Sequence, residues 1–250
     1  MGRSAGAWDY HRDPKRALPA SDEGAARGAG ACSTGGVTTA IEERVGRVIE
    51  AAGATVSAEA AARIGRWIGA VRAWNAKIDL TAARGDDELV DLMLADALEL
   101  AKRIRSSARV VDVGTGAGAP GLGIALSRPD LAVTLVEPMQ KRAALLRTVM
   151  GELLQAGAPA TMRVLRERGE DVARRGEVFD VAISRATLPP GEWLKLGSGL
   201  SPGPGGEVWV LLAREEPPSL NGWTAAEDFR YRWPLTGAER RAVRFTSSAT

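Results

Sequence analysis

The residues with the clearest potential for chemistry lie in one stretch, V-V-D-V-G-T-G-A-G-A-P-G, which runs from Val110 to Gly121. Its apolar start predicts a buried parallel strand over residues 109–113, and alternating glycines follow that strand. Glycines remove the Cβ atoms that would keep backbone N–H groups away from a ligand, and they permit positive φ in a tight turn into a helix. Such a turn at the carboxyl end of a parallel strand predicts a nucleotide-shaped binding site.

The glycine turn matches the patterns of two cofactor classes. Gly114, Gly116 and Ala119 fit the dinucleotide fingerprint G-x-G-x-x-G/A. Gly114, Gly116 and Gly118 fit the G-x-G-x-G loop that binds S-adenosylmethionine (AdoMet). Glu137 ends the second predicted strand about twenty residues further on, where both folds place an acid on ribose hydroxyls. These residues alone leave the choice of cofactor open.

Two further positions shape the predicted cofactor site. A carboxylate at Asp112 suits a cofactor that carries a sulfonium and an amino group, and it would repel a pyrophosphate. Gly169 and Glu170, after the third predicted strand, offer a backbone N–H and a carboxylate near the expected adenine. For Glu170, a favourable charge at a helix N-terminus is the alternative role. Asp112 therefore favours AdoMet as the cofactor.

The tip of the fourth predicted strand, Ser184-Arg185-Ala186, is where these folds place the group next to the reacting centre. The Asp/Asn-Pro-Pro-aromatic sequence expected for methylation of an exocyclic amine is absent, and so is a cysteine nucleophile in this region. Without a general base, an acceptor that has a free lone pair and no proton to lose, such as guanine N7, needs only positioning. Arg185 is suited to bond O6 of such a guanine, a phosphate or the cofactor carboxylate. An ion pair with a neighbouring acid is the alternative.

The elements that must position these residues alternate between strands and helices from Arg109 onward. This alternation predicts a doubly wound, mostly parallel sheet with right-handed crossovers. The last segment differs, because residues 228–233 and 241–245 alternate around Thr236-Gly237 and predict an antiparallel hairpin at one sheet edge. The predicted strands are 109–113, 131–137, 161–166, 178–184 and 207–213, and the predicted helices are 120–128, 139–155 and 169–175.

A helical cap precedes the sheet. Apolar residues at helical spacing predict a first helix from Thr38, a second from Ser57 and a third over residues 86–104. Trp67 and Trp74 fall on the apolar face of the second helix and are assigned to the core. The segment before the first helix shows no periodic apolar pattern and predicts a disordered extension. The predicted domains are an extension over 1–37, a cap over 38–106 and a cofactor-binding domain over 107–250.

Composition excludes several function classes. The 250-residue chain holds one cysteine, Cys32, and one histidine, His11, so a disulfide framework and a Cys/His zinc site are excluded within one chain. A hydrolase with a histidine base is disfavoured, because His11 lies in the N-terminal extension. No apolar run approaches the roughly 20 residues that span a membrane, and no signal pattern follows Met1, so we expect a cytoplasmic protein. The net charge of +2 predicts no partner by itself.

Several segments, taken together, resemble one family. Trp74 to Thr81 is similar to W-N-x-K-x-N-L-T, and Asp112 to Ala125 is similar to D-V-G-[ST]-G-A-G-x-P-G-x-x-x-A. Lys141 to Leu146 is similar to K-[RK]-x-x-F-L. Arg168 to Glu170 and Ser184 to Ala186 are similar to R-x-E and S-R-A. In this order and spacing, the chain resembles the small-subunit ribosomal RNA guanine-N7 methyltransferases, also called the glucose-inhibited division protein B family.

The resemblance implies a reaction and a set of contacts. A member of this family would transfer a methyl group from AdoMet to N7 of a guanine in 16S ribosomal RNA, within the small ribosomal subunit. The implied cofactor contacts are Gly114, Ala119, Gly169, Glu170 and Arg185. The implied contacts with RNA phosphates are Lys141, Arg142 and Arg147, for which a solvated helix face is the alternative.

The chain departs from the family pattern at three places. H-x-x-D-S becomes Met93 to Ala97, which loses the histidine and the serine. The aromatic expected after the last loop glycine is Ala119, and a lysine-glycine pair after the fifth strand is replaced by Ala213 to Glu215. These changes leave the predicted cofactor site mostly intact and concern the acceptor side.

The sequence therefore predicts an α/β protein with a Rossmann-like AdoMet-dependent methyltransferase sheet behind a helical cap. Arg185 would orient the cofactor or the base, and catalysis would come chiefly from proximity. We expect a monomer that binds neither a metal ion nor a membrane. The alternatives are a methyltransferase of the same fold with a small molecule or another RNA as acceptor, and a non-catalytic RNA-associated relative. A nicotinamide oxidoreductase is disfavoured, because no Tyr-Lys pair or histidine acid is available for hydride chemistry.

Overall fold

The computed structural model describes residues 34–76 and 80–248. Most of the predicted extension, with His11 and Cys32, lies outside the described residues, as do Lys77 to Asp79 in the Trp-Asn motif. The first helix begins at Thr34, inside the last four residues of that extension. In the described part of the chain, no helix is both long and apolar enough to cross a membrane.

Helices precede the sheet and form its cap. They are α1 (Thr34–Ala51), α2 (Ala58–Asn75), α3 (Asp86–Val90), a π-helical segment (Asp91–Ala95) and α4 (Asp96–Ala101). Ser57 begins α2 as predicted, because its hydroxyl accepts the N–H of Ala60 at 3.2 Å and satisfies one free donor of the first turn. The π-helical segment interrupts the predicted third helix, and such wide turns recur at functional sites.

A seven-stranded sheet follows, with the order β3-β2-β1-β4-β5-β7-β6. The strands are β1 (Arg109–Val113), β2 (Ala132–Val136), β3 (Met162–Leu165), β4 (Val181–Arg185), β5 (Glu207–Leu212), β6 (Trp223–Arg232) and β7 (Glu239–Ser247). Its helices are α5 (Gly121–Ser127), α6 (Gln140–Gln155), α7 (Gly169–Arg174) and α8 (Pro190–Leu200). The first five strands pair in parallel, and β7 pairs antiparallel with both β5 and β6. The doubly wound sheet and the terminal hairpin are confirmed.

Alternation along the strands divides the core into two layers. Val110 on β1 faces a cluster that includes Ile64 and Trp67 of α2, so the cap and the sheet share one core. Val111 and Val113 face the opposite layer, which α8 covers. Because parallel strands all end at the same edge, this arrangement brings the tips of β1, β2, β3 and β4 together.

Two predictions about helices were wrong. Helix α8 was not predicted, because Pro189-Pro190 and the three glycines that follow are typical of a loop. The segment is nevertheless a helix that buries Trp193 and Leu200. A proline in the first helical turn is in fact favourable, since its missing N–H needs no partner there. Trp74 was assigned to the core and is 39% exposed, because it lies in the last turn of α2.

Candidate functional site

The glycine turn connects the end of β1 to α5. Gly114, Gly116 and Gly118 take positive φ values of +71°, +61° and +110°, which strain any residue that has a Cβ. The N–H groups of Gly114 and Thr115 donate to the carbonyl of Val136 at the tip of β2, at 2.8 and 3.2 Å. Apart from Gly116 itself and its two chain neighbours, no heavy atom of the described residues lies within 4 Å of the position that a Cβ on Gly116 would take. The turn is therefore anchored on one side and faces open space on the other.

Asp112 lies beneath this turn, and its predicted contact with the cofactor stays a prediction. The residue is fully buried, and its Oδ2 accepts the Thr115 hydroxyl at 2.6 Å and the Gly121 N–H at 2.8 Å. Its Oδ1 makes no hydrogen bond with any residue that the structure describes. Side chains alternate between the two faces of a strand, and that of Asp112 points into the core layer under the turn. Asp112 therefore shapes the site from below. Burial raises the pKa of Asp112 to about 6, against the hydrogen bonds from Thr115 and Gly121, which lower it.

We expect Asp112→Asn to remove a pH dependence of stability. Because the pKa of Asp112 in the folded chain lies above its ordinary 3.8, the folded chain holds this proton more tightly than the unfolded chain. The contribution to stability is therefore fully present below about pH 4 and is lost as the pH rises through about 6. Between pH 5 and pH 7.5, the Tm advantage of wild type over Asp112→Asn should shrink by roughly 3 °C in scanning calorimetry.

Asp130→Asn is the matched control for this measurement. The hydrogen bond from Arg128 lowers the pKa of Asp130 to about 2, so Asp130 is ionised throughout this pH range in both the folded and the unfolded chain. Its variant should differ from the wild type by a constant Tm. If Asp112→Asn also showed a constant difference, the raised pKa of Asp112 would be contradicted.

Glu137 lies directly after β2 and also anchors the turn. Its Oε2 accepts the Gly116 N–H at 3.0 Å, and its Oε1 accepts the Met139 N–H at 2.8 Å. Burial raises the pKa of Glu137, and the hydrogen bond from Met139 and the charge of Arg142 oppose that shift. A carboxylate oxygen can accept more than one hydrogen bond, so both oxygens of Glu137 can still accept from hydroxyl donors.

Neighbouring strand tips approach the turn closely. A Cβ on Gly114 would lie 2.2 Å from the Oγ1 of Thr187, so the loop after β4 sits directly against the glycine turn. A Cβ on Gly169 would lie 2.6 Å from Val113, which places the start of α7 against the tip of β1. Glu170 beside it is exposed. The structure thus brings Gly114, Gly169 and the β4 tip to one edge.

Arg185 ends β4 and is held by an ion pair. Its Nη1 donates to Oδ2 of Asp96 at 2.9 Å and to the carbonyl of Leu92, in the π-helical segment, at 2.5 Å. The side chain of Arg185 is 19% exposed, whereas that of Asp96 is 2% exposed. Arg185 therefore forms the ion pair with a neighbouring acid that the sequence offered as its alternative role. Toward the residues that the structure describes, Nε and Nη2 make no hydrogen bond, so their three N–H groups can donate to a ligand.

The basic residues of α6 divide into two kinds. Lys141 and Arg147 are exposed on the helix that follows Glu137. Arg142 is half-buried, and its charge acts on the Glu137 carboxylate. The structure therefore directs the charge of Arg142 toward the glycine turn, while the other two cations face outward.

Comparison with known proteins places this geometry in a family. Residues 61–213 match the family described as rRNA small subunit methyltransferase G. This chain belongs to that family. Ribosomal RNA small subunit methyltransferase G of Anaeromyxobacter dehalogenans (strain 2CP-C) is 33% identical over 220 residues, which are 82% of this chain and 97% of that protein. The protein of the same name from Myxococcus xanthus (strain DK1622) is 31% identical over 214 residues, 82% of this chain and 96% of that protein.

Most departures from the methyltransferase G pattern lie in the core. Met93 and Ala97 are buried, and a Cβ on Gly123 would lie 2.7 Å from the Cβ of Ala97. The lost histidine and serine are therefore replaced by apolar packing between the cap and α5. Ala119 is also buried, and its predicted contact with the cofactor stays a prediction. The exposed loop 213–215 is the departure that changes the surface, and there Glu215 accepts two backbone N–H groups of its own loop.

The family's Trp-Asn motif shapes the loop after α2. The Oδ1 of Asn75 accepts the N–H groups of Leu80 and Thr81 at 2.9 and 2.8 Å. Upstream, Nε1 of Trp67 donates to the carbonyl of Ala117 in the glycine turn at 2.9 Å. These side chains hold loops in place, and Trp67 connects the cap to the turn.

Three residues at the site were missed by sequence reasoning. They are Asp96, which binds Arg185, Thr115, which bonds the buried Asp112, and Thr187, which contacts the turn. Asp96 had a signal, since it is the one polar residue of the family's H-x-x-D-S segment that this chain keeps. Within the two described ranges, no three His, Cys, Asp or Glu side chains lie together so that they could hold a metal ion.

Proposed function

We propose that this protein is an AdoMet-dependent methyltransferase that methylates N7 of a guanine in 16S ribosomal RNA. One observation carries the proposal: the open face of the glycine turn and Glu137 lie at the same sheet edge as Arg185. β1 and β4 are neighbours, with Val113 opposite Ser184, so a ligand on the turn lies beside the tip that holds Arg185. The family match supports ribosomal RNA of the small subunit as the substrate.

The residues present fit AdoMet. Gly116 faces open space, so the backbone of the turn is accessible to a ligand without a Cβ in between. Glu137 is positioned beside that space and accepts from hydroxyl donors such as those of a ribose. Gly169 and Glu170 would lie near the adenine, and Arg185 near the carboxylate or the methyl group. When bound, AdoMet supplies an electrophilic methyl group on a sulfonium.

The chain's own residues then have to orient the acceptor. The Oγ of Ser184 donates to the carbonyl of Val113 at 2.8 Å, so this hydroxyl is occupied within the sheet. N7 of guanine carries a lone pair and loses no proton on methylation, so the acceptor needs alignment and no base. The three remaining N–H donors of Arg185 suit O6 of that guanine, which lies beside N7.

The exposed cations of α6 suit the RNA backbone. Lys141 and Arg147 follow Glu137 along the helix and face outward, where they would bind phosphates. Small ribosomal subunits lie in the cytoplasm, and the proposal places the protein there. We also propose that it acts as a monomer, which light scattering of the purified chain would test.

The loop 213–215 favours a second candidate, a methyltransferase with a different acceptor. It places the exposed Glu215 after β5, where the family pattern has a lysine-glycine pair. Acidic side chains repel a phosphate backbone, so this loop is unsuited to close contact with the phosphates of ribosomal RNA. It suits a small molecule or another RNA as the acceptor better.

A methyl-transfer assay separates the two candidates. Small ribosomal subunits from a strain without the gene are incubated with the protein and labelled AdoMet, and N7-methylguanine is located by strand cleavage at modified sites. We expect one new N7-methylguanine in 16S RNA. Binding of AdoMet in calorimetry without any RNA methylation would favour the different acceptor, and binding of NADH without AdoMet would overturn both candidates.

A further inference from the structure

The C-terminal hairpin reaches back to the site of Arg185, although β6 and β7 lie beyond residues 61–213 that match the family. The hydroxyl of Tyr231 donates to Oδ1 of Asp96 at 2.8 Å, and Nε1 of Trp233 donates to the same oxygen at 2.7 Å. The other oxygen, Oδ2, accepts Nη1 of Arg185 at 2.9 Å. One carboxylate thus joins the hairpin, the cap and the tip of β4.

The electrostatics make this connection rigid. Asp96 is 1% exposed, and a buried carboxylate is tolerated only when several donors satisfy it. Burial and the charge of Asp96 raise the pKa of Tyr231, so its hydroxyl keeps its proton and donates at every working pH. Two donors on Oδ1 fix the plane of the carboxylate, whose terminal torsion is otherwise soft. The direction in which Oδ2 meets Arg185 therefore depends on the hairpin.

The hairpin itself is held in place by two further contacts. The guanidinium of Arg240 lies 3.7 Å from the ring centroid of Trp233, a cation–π contact that fixes the indole. Asp91, buried in the π-helical segment, accepts the N–H of Leu235 and both the N–H and the hydroxyl of Thr236. The turn of the hairpin is therefore bound to the π-helical segment, which leads directly into α4 and Asp96.

We infer that the C-terminal hairpin positions Arg185 through Asp96, and that Tyr231 and Trp233 are positioning residues for methyl transfer. The inference rests on the proposed role of Arg185 in that reaction. Oδ1 is occupied by the hairpin donors, which leaves Oδ2 to orient the guanidinium. Loss of a hairpin donor frees the carboxylate to turn, so only the carbonyl of Leu92 still holds Nη1, and the direction of Arg185 is less fixed while its charge is kept.

Two variants of the full-length protein test this inference. Tyr231→Phe removes the hydroxyl that donates to Asp96 and keeps the ring. Thr236→Val is the matched control, because it removes a hairpin hydroxyl that donates to the other buried carboxylate, Asp91. The N–H groups of Leu235 and Thr236 still bind Asp91 in this variant, so the turn of the hairpin stays in place. Both should lower Tm by a few degrees, so a general loosening of the hairpin would affect both alike.

The expected results differ between these variants. Tyr231→Phe should lower kcat about tenfold and change the Kd for AdoMet by less than twofold, whereas Thr236→Val should leave kcat within twofold of wild type. In the Arg185→Lys background, Tyr231→Phe should have no further effect on kcat, because it acts through Arg185. Phenylglyoxal, followed by peptide mass spectrometry, should modify Arg185 at least three times faster in Tyr231→Phe and at the wild-type rate in Thr236→Val.

The modification rate needs no methyl transfer, so it separates the two claims. Wild-type protein that methylates nothing, combined with faster modification of Arg185 in Tyr231→Phe, would overturn the proposed function but support the positioning of Arg185 by the hairpin through Asp96. An unchanged modification rate would overturn the inference, whatever the activity. Equal losses of kcat in Tyr231→Phe and Thr236→Val would overturn it as well, because the hairpin would then act only through stability.

Discussion

Arg185→Ala should lower kcat for methyl transfer at least a hundredfold while the Kd for AdoMet rises less than tenfold. The guanidinium is the cationic group at the tip of β4, and its Nη1 is already bound by Asp96 and Leu92. Its remaining donors are therefore held in a fixed direction before any ligand binds, and removal of one preorganised donor typically costs about 10²–10³ in kcat. Single-turnover methylation of small ribosomal subunits and calorimetry with AdoMet measure the two quantities.

The structure adds a consequence for stability. Without Arg185, the carboxylate of Asp96 stays buried with only the donors from Tyr231 and Trp233. Breaking a buried ion pair by removal of one partner costs about 3–5 kcal/mol, and the two remaining donors reduce that figure here. Partial unfolding would then also lower the activity of Arg185→Ala, so further variants are needed to separate the two effects.

Two further variants separate catalysis from folding. Arg185→Ala combined with Asp96→Asn removes both charges and should regain most of the lost Tm while methyl transfer stays low. Arg185→Lys keeps the charge against Asp96 but not the planar array of donors, so it should be stable and still slow. Normal turnover by folded Arg185→Ala would show that Arg185 has a structural role only.

The sequence predicted the sheet more accurately than the contacts of its polar residues. The strands β1, β2, β4 and β5 are short apolar runs that are mostly buried on both faces, and they could be located from those runs, whereas β3 at the sheet edge is only partly buried. Asp112 and Glu137 were also correctly placed at strand tips. Their side chains bind the backbone of the turn, and sequence could not show this, because direction depends on how α5 and β2 pack around them.

Long-range contacts explain the residues that sequence reasoning missed. Asp96 binds groups 89 to 137 positions away along the chain, and no local pattern indicates such contacts. Trp74 shows the reverse error, since its spacing matches the buried face of α2 but the helix extends past its neighbours there. Periodicity predicts which side of a helix is apolar, and it does not predict where the packing ends.

Gly114→Ala should lower the free energy of unfolding by about 3 kcal/mol, or roughly 6–12 °C in Tm. Two costs add. An alanine at the φ of +71° costs about 1–2 kcal/mol, because its Cβ crowds the following carbonyl. The new Cβ would also lie 2.2, 2.5 and 2.9 Å from Oγ1, Cγ2 and Cβ of Thr187, so the loop after β4 must move, and such overpacking costs about 1–3 kcal/mol. Thermal melting of the free protein measures the sum.

Gly116→Ala separates these two costs. Its φ of +61° is similarly strained, but open space surrounds the new Cβ, so the loss should be only about 1–2 kcal/mol. Thr187→Gly, combined with Gly114→Ala, removes all three crowding atoms and should bring the variant back to the level of Gly116→Ala. That recovery would measure a coupling energy between the two loops, because substitutions at distant sites are additive and show no such coupling. If Gly114→Ala melted within 2 °C of Gly116→Ala, the close contact between the glycine turn and the loop that follows Arg185 would be refuted.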